Sequence, residues 1–172
     1  MIVRLVGSEM CIRDSYEMSM APITQDRPWE TRSVVGSQRL LQRVWRNIVD
    51  EQTGELAVSD DAPSEELLRV LHKTIDGVTA DMDNLRYNTA IAKLTELNNE
   101  VTKAEGPTPR VVADAMVRML SPLVPHMAEE LWSKLGGAGS VVWAHFPAAD
   151  ASYLVDDQVE LPVQVKGKVR GR

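Results

Sequence analysis

Apolar residues recur every three or four positions through most of this chain, and that periodicity is the strongest constraint on its fold. In SVVGSQRLLQRVWRNIVD, Val34, Leu41, Val44, Trp45 and Ile48 fall on one side of a helix turning about 100° per residue. Ser33 is placed to cap its start, and Asp50 stands near its end. QTGELAVSDDAP then reads as a loop, and Glu65 and Glu66 favour the first turn of a second helix. That helix turns Leu67, Leu68, Leu71, Ile75, Val78 and Met82 inward. The phase shifts near Asn84, and a third helix carries Tyr87, Ile91, Leu94, Leu97 or Asn98, and Val101 to about Lys103. AEGPTP breaks the pattern; Thr108 as cap and Pro109 at the first helical position open a fourth helix through Val112, Met116, Met119 and Leu120. After SPLVP, the segment HMAEELWSKLGG brings Met127 or Ala128, Leu131, Trp132 and Leu135 to one side and stops at Gly136-Gly137. The expected fold is mainly α: a bundle of about five helices, spanning 33–137, with a lead-in at 16–32.

Composition agrees with helices. Only 5% of residues are aromatic and eight are Met, a mix that suits helix packing better than a sheet. One Cys excludes an internal disulfide framework, and the three His show no metal-ligand spacing, so no metal is expected. HMAEE lacks the paired His of a zinc protease. No run of about 18 apolar residues is present. A cytoplasmic chain without a membrane partner is expected.

The net charge of −6 conceals a segregation. Between Arg27 and Arg46 five Arg face Glu30 alone, and between Lys166 and Arg172 four basic residues face no acid. Between Asp50 and Glu105, thirteen acids outnumber five basic residues. On the first helix, Arg32, Arg39, Arg43 and Arg46 fall within roughly 60° of one another, nearly opposite the apolar stripe. Such a ridge on a rigid rod suits phosphates, because a guanidinium offers a planar, bidentate donor set.

The last residues change period. In VELPVQV, Val159, Leu161, Val163 and Val165 alternate with polar or Pro positions, which is strand periodicity. KGKVRGR adds a Gly-containing turn and the start of a return strand, so 159–172 reads as the truncated entry to a β-containing domain after a linker at 138–158. The hairpin is expected to be incomplete, leaving a strand without a partner.

RPWETRSVVGSQRLLQRVWRNIVDE, LRYNTAIAKLTELNNEVTK, SPLVPHMAEELWSKLG and VELPVQVKGKVRG resemble, in order and spacing, the C-terminal part of bacterial leucyl-tRNA synthetases, particularly actinobacterial ones. The helical part resembles the anticodon-binding domain shared by the synthetases for leucine, isoleucine, valine and methionine. One departure is Lys166, where the family usually has Asn. The resemblance implies a fragment that docks tRNA(Leu), in a monomeric ligase that joins leucine to its tRNA with ATP and Mg²⁺. The HIGH-like and KMSKS-like motifs and the editing insertion of that family are not in the sequence. No catalytic residue and no cofactor is therefore assigned here, and the fragment is expected to be inactive alone. The resemblance makes Arg32, Arg39, Arg43 and Arg46 grips for the tRNA stem. It makes Lys166, Lys168, Arg170 and Arg172 the neck of a second grip, and the rest of the synthetase a partner.

Plainer readings stand beside these. The Arg ridge can be a solvated helix face on a free helical protein-interaction module whose acidic middle binds a protein, and the isoleucine and valine enzymes are the nearest related alternatives. Trp29, beside Pro28 and ahead of a helix, reads first as a packing plug and second as a base-stacking group. Trp45 and Trp132 read as core, and Asn98-Asn99 as a helix face. Residues 1–15 contain RLVGSEMCIRDS, which resembles a peptide encoded by sequencing-adapter DNA; Gly7, Ser8, Asp14 and Ser15 interrupt every candidate face. A poorly ordered or arbitrarily packed tail is expected there, with no catalytic role for Cys11.

Overall fold

The structure, a computed structural model, describes residues 8–104, 106–155, 163–165 and 168–171. Six helices are found among them: α1 (Ser8–Met20), α2 (Val34–Ile48), α3 (Glu65–Asp83), α4 (Tyr87–Lys103), α5 (Arg110–Leu120) and α6 (Pro125–Lys134). None is long and apolar enough to cross a membrane. The apolar stripes read from the sequence converge on one core, in which Ile48, Leu71, Leu97, Met116, Met119 and Leu131 are almost completely buried. Each such side chain contributes about 1.5–3 kcal/mol through removal from water.

The helix ends show which local signals the chain uses. Ser64 accepts a hydrogen bond from the Leu67 amide at 3.2 Å and caps α3, with Glu65 and Glu66 in the first turn where the helix dipole favours them. At the end of α6 the Gly137 amide donates to the Trp132 carbonyl and the Gly136 amide to that of Ser133, with Gly136 at φ +86°. That is the expected left-handed stop. The α3–α4 corner uses the same bonds without glycine: Arg86 N–H reaches the Asp81 carbonyl, Leu85 N–H that of Met82, and Leu85 itself sits at φ +56°.

Four expectations are corrected. Ser33 makes no capping bond; a 3-10 turn at Thr31–Ser33 precedes α2, capped by the Glu30 carboxylate on the Arg32 amide. Thr108 and Pro109 do not open α5 but form a two-residue strand β2, parallel to β1 (Val58–Ser59). The Thr108 hydroxyl donates to the Asn47 carbonyl, so its side chain is spent on α2 and not on capping. Val163–Val165 (β3) is not left without a partner: it pairs antiparallel with β4 (Lys168–Gly171), with an irregularity between Val163 and Gln164. Residues 159–162 lie outside the described residues.

The fourth correction concerns the N-terminus. Residues 8–15 are the first half of α1, which lies against α2, α4 and α6. Cys11 is 1% exposed, and its Sγ stands 3.7 Å from His126 Nδ1. The polar residues that break the apolar face are absorbed locally: Ser15 donates to the Ile12 carbonyl, and Arg13 pairs with Asp14. A short helix needs only part of one face apolar when three neighbours supply the rest of the burial.

The segment expected as a linker is seated on the bundle through residue 155. Glu129 accepts from the Ser140 hydroxyl and, at 3.2 Å, from the Val141 amide, which fixes a 3-10 turn at Val141–Trp143 on α6. Further on, the Asp150 amide donates to His72 Nδ1 at 3.1 Å, and the Tyr153 ring stacks on His72 at 4.8 Å.

Candidate nucleic-acid interface

The seam between α2 and α4 is polar, and it sets where the arginines of α2 stand. Asn98 is fully buried on α4, and its Oδ1 accepts from Asn47 Nδ2 at 2.9 Å. The same Asn47 amide reaches Thr102 Oγ1 at 3.0 Å, and Thr102 donates back to the Asn98 carbonyl. One turn away, Arg43 Nη1 donates to Asn99 Oδ1 at 3.0 Å. Leu97 and Asn98 are thus both interior, and Asn98-Asn99 ties two helices together instead of forming an open face.

The four arginines of the expected ridge separate into different environments. Arg32 lies in the 3-10 turn before α2 and Arg39 on α2; both are exposed, and neither has a carboxylate partner among the described residues. Arg46 pairs with Glu51 at 3.0 Å, both about half exposed, an arrangement worth about 0–1 kcal/mol and easily exchanged for a phosphate. Arg43 is half-buried, and its Nε has no hydrogen-bond partner among the described residues. Its charge is held in place by Asn99, so only part of the guanidinium is left for a ligand. Of the C-terminal set, Lys168 and Arg170 fall on β4, whereas Lys166 and Arg172 lie outside the described residues.

A cleft of about 670 Å³ opens beside this face, lined by Tyr16, Arg27, Ser33, Ser37, Arg43 and Thr95 among others. Its rim holds together through Tyr16, whose hydroxyl accepts from the Glu30 amide and donates to the Glu30 carbonyl, both at 3.1 Å. Trp29, read first as a packing plug, is 54% exposed. Sequence reasoning passed over Arg27, Asn47 and the positioning role of Asn99. The composition of RPWE was a usable signal for the first; nothing in one sequence marks which Asn of a helix faces which neighbour.

Asp81 supplies the other well-formed charge cluster. It is 2% exposed, accepts from Arg86 Nε at 3.0 Å and pairs with the Lys93 ammonium. Burial pushes its carboxyl up, but the bond from Lys93 and the charges of Lys93 and Arg86 outweigh this and hold it below the ordinary value of 3.8. The cluster joins α3 to α4. Among the described residues, no three or more His, Cys, Asp or Glu side chains gather to hold a metal ion.

Residues 64–172 match the protein family described as the anticodon-binding domain of tRNA ligase. The leucine–tRNA ligase of Streptomyces avermitilis is 60% identical over 157 residues, covering 91% of this chain and 16% of that protein. That of Saccharopolyspora erythraea is 60% identical over 159 residues, covering 91% of this chain and 17% of the relative. The chain therefore spans about a sixth of the length of the curated relatives it matches. In three dimensions it is similar to LeuRS in the LeuRS–tRNA–LeuAMS ternary complex of Agrobacterium radiobacter, with a TM-score of 0.70 and 24% identity, covering 93% of this chain and 22% of that one.

Proposed function

The chain belongs to the anticodon-binding domain family of tRNA ligases, and from that premise we propose that it docks tRNA(Leu) for a leucine–tRNA ligase. The observation that carries this reading is the outer face of α2 and its lead-in. Among the described residues Arg32 and Arg39 stand exposed without acidic partners, Arg46 has a solvent-exposed pair, and Arg43 is oriented by Asn99. Arg39, Arg43 and Arg46 at spacings of four and three along α2, with Arg32 in the turn before it, can meet successive phosphates. Contacts of this kind position an RNA and read no base. Lys168 and Arg170 on β4, with Lys166 and Arg172 beside it in sequence, form the second basic element of the same reading.

Joining leucine to tRNA requires ATP and Mg²⁺, and no residue of this chain is assigned to either. We assign adenylate formation, acyl transfer and editing to the remainder of the ligase, and we place the whole ligase in the cytoplasm as a monomer. A band-shift titration of tRNA(Leu) across salt concentrations tests the docking reading. Phosphate contacts give a linear fall of log affinity with log salt, and Arg39→Ala with Arg43→Ala should flatten that slope by roughly one to two phosphate equivalents. No binding at low salt, or a slope unmoved by the double change, would instead favour a protein-binding helical module.

A further inference from the structure

Trp29 is an indole held rigidly and left half open to solvent. Its ring meets the Tyr16 ring edge-on, with centroids 5.0 Å apart and planes at 88°. Its Nε1 donates to Thr31 Oγ1 at 3.1 Å. The Tyr16 hydroxyl is hydrogen-bonded to both the N–H and the C=O of Glu30, which holds the ring that meets the indole. A Trp serving as a packing plug would be covered, yet 54% of this one is exposed. Its polar edge is already satisfied. What remains to offer is an apolar π face.

The charges around it select the occupant. Arg27 and Arg32 flank Trp29 in sequence, with Arg39 one further step along, and none has a carboxylate partner among the described residues. Glu30 accepts from the Arg32 amide and keeps its charge, so Asp26 and Glu30 stand in sequence beside Arg27 and Arg32, but neither forms an ion pair with them among the described residues. A half-exposed indole on a segment whose arginines lack carboxylate partners among the described residues suits a nucleobase with its own phosphates, because the base stacks while the cations meet the backbone.

We propose that Trp29 is a stacking platform for a single unpaired nucleotide of RNA, with Arg27 and Arg32 on its phosphates. This rests on the RNA-docking reading above and narrows it: a base inside a duplex cannot present its face to an indole, so the platform acts only where a nucleotide leaves the stack. Tyr16 is the positioning residue of the site, and Thr31 fixes the rotation of the ring. Tyr16 also lines the neighbouring cleft together with Arg27, Glu30 and Arg43, so the residue that supports Trp29 is shared with that cleft.

The test uses the 172-residue chain and three fluorescently labelled RNA hairpins: one fully paired, one with a single bulged nucleotide, and one with an abasic residue at the bulge. Anisotropy titrations give the affinities. The bulged hairpin should bind more tightly than the other two. Trp29→Ala should weaken its binding by roughly 5- to 100-fold while leaving the paired hairpin unchanged. Trp29→Phe should retain most of the preference, Trp29→Leu should lose it, and no variant should change the salt slope. If Trp29→Ala weakens all three RNAs equally, or none, the platform is wrong. It is equally wrong if Trp29→Leu binds the bulge as wild type does. A wild-type chain that binds the paired hairpin with a steep salt slope but ignores the bulge removes only this inference. One that binds no RNA at low salt removes the docking reading as well.

Discussion

Arg43 on α2 and Asn99 on α4 are joined by a 3.0 Å hydrogen bond across the seam between the two helices. The bond makes Asn99 a determinant of where a cation stands, although Asn99 carries no charge. Asn99→Ala should lower stability by about 0.5–1.5 kcal/mol in urea denaturation. It should weaken tRNA binding a few-fold while leaving the salt slope near its original value, because the cation is loosened and not removed. Arg43→Ala should change the slope as well. Equal slopes for the two variants would mean that Arg43 does not meet a phosphate.

Asp81 gives the bundle an acid-sensitive link. Its carboxyl is held below its ordinary value of 3.8 in the folded chain. Its stabilising contribution is therefore complete above that ordinary value and is lost as the pH falls through the lowered folded value. Asp81→Asn should cost about 2–3 kcal/mol at pH 7. That is less than the ~3–5 kcal/mol of a fully buried pair, since Arg86 and Lys93 are both partly solvated. Denaturation curves at pH 7 and near pH 3 should show the difference between wild type and variant shrinking in acid.

Leu85 occupies the left-handed region at φ +56°, at the corner where α3 turns into α4, and its side chain is half exposed. A β-carbon is unfavourable there, and glycine is the usual occupant of this position in a helix stop. Leu85→Gly should raise stability by about 0.5–1 kcal/mol, read as a higher Tm. A lower Tm would show that the exposed leucine contributes more by contact than its backbone costs.

Cys11 should behave as a core residue. Its thiol is 1% exposed, on a helix that packs against three others. Labelling by an aromatic disulfide reagent should be slow in the native chain and become fast only in denaturant. Amides of residues 9–20 should exchange with solvent alongside those of α2 and α4. Rapid labelling under native conditions would restore the view of 1–15 as a loosely attached tail.

The five amphipathic helices of 34–134 are legible in residue order alone, because an apolar stripe at helical spacing has one economical way to leave water. The acidic first turn of α3 at Glu65 and Glu66, the glycine stop after α6 and the change to strand period near Val163 are legible there too, as is the family; the cap at Ser64 is seen only in the structure. What only the tertiary structure decided are the outcomes of competition between distant groups. Thr108 is a good cap in isolation, but the Asn47 carbonyl and the β1 edge engage it first. Asn98 competes with Leu97 for the inner face in the sequence, and both are buried because Asn47 gives the Asn98 side-chain oxygen a partner. Residues 8–15 have too little apolar face to hold a helix alone, yet α2, α4 and α6 leave a slot that α1 fills. Trp29 has the composition of a plug, yet it stays half exposed while Tyr16 and Thr31 hold its ring. Local propensity is a property of a segment, whereas burial and partner choice are set by whatever the rest of the fold brings alongside it.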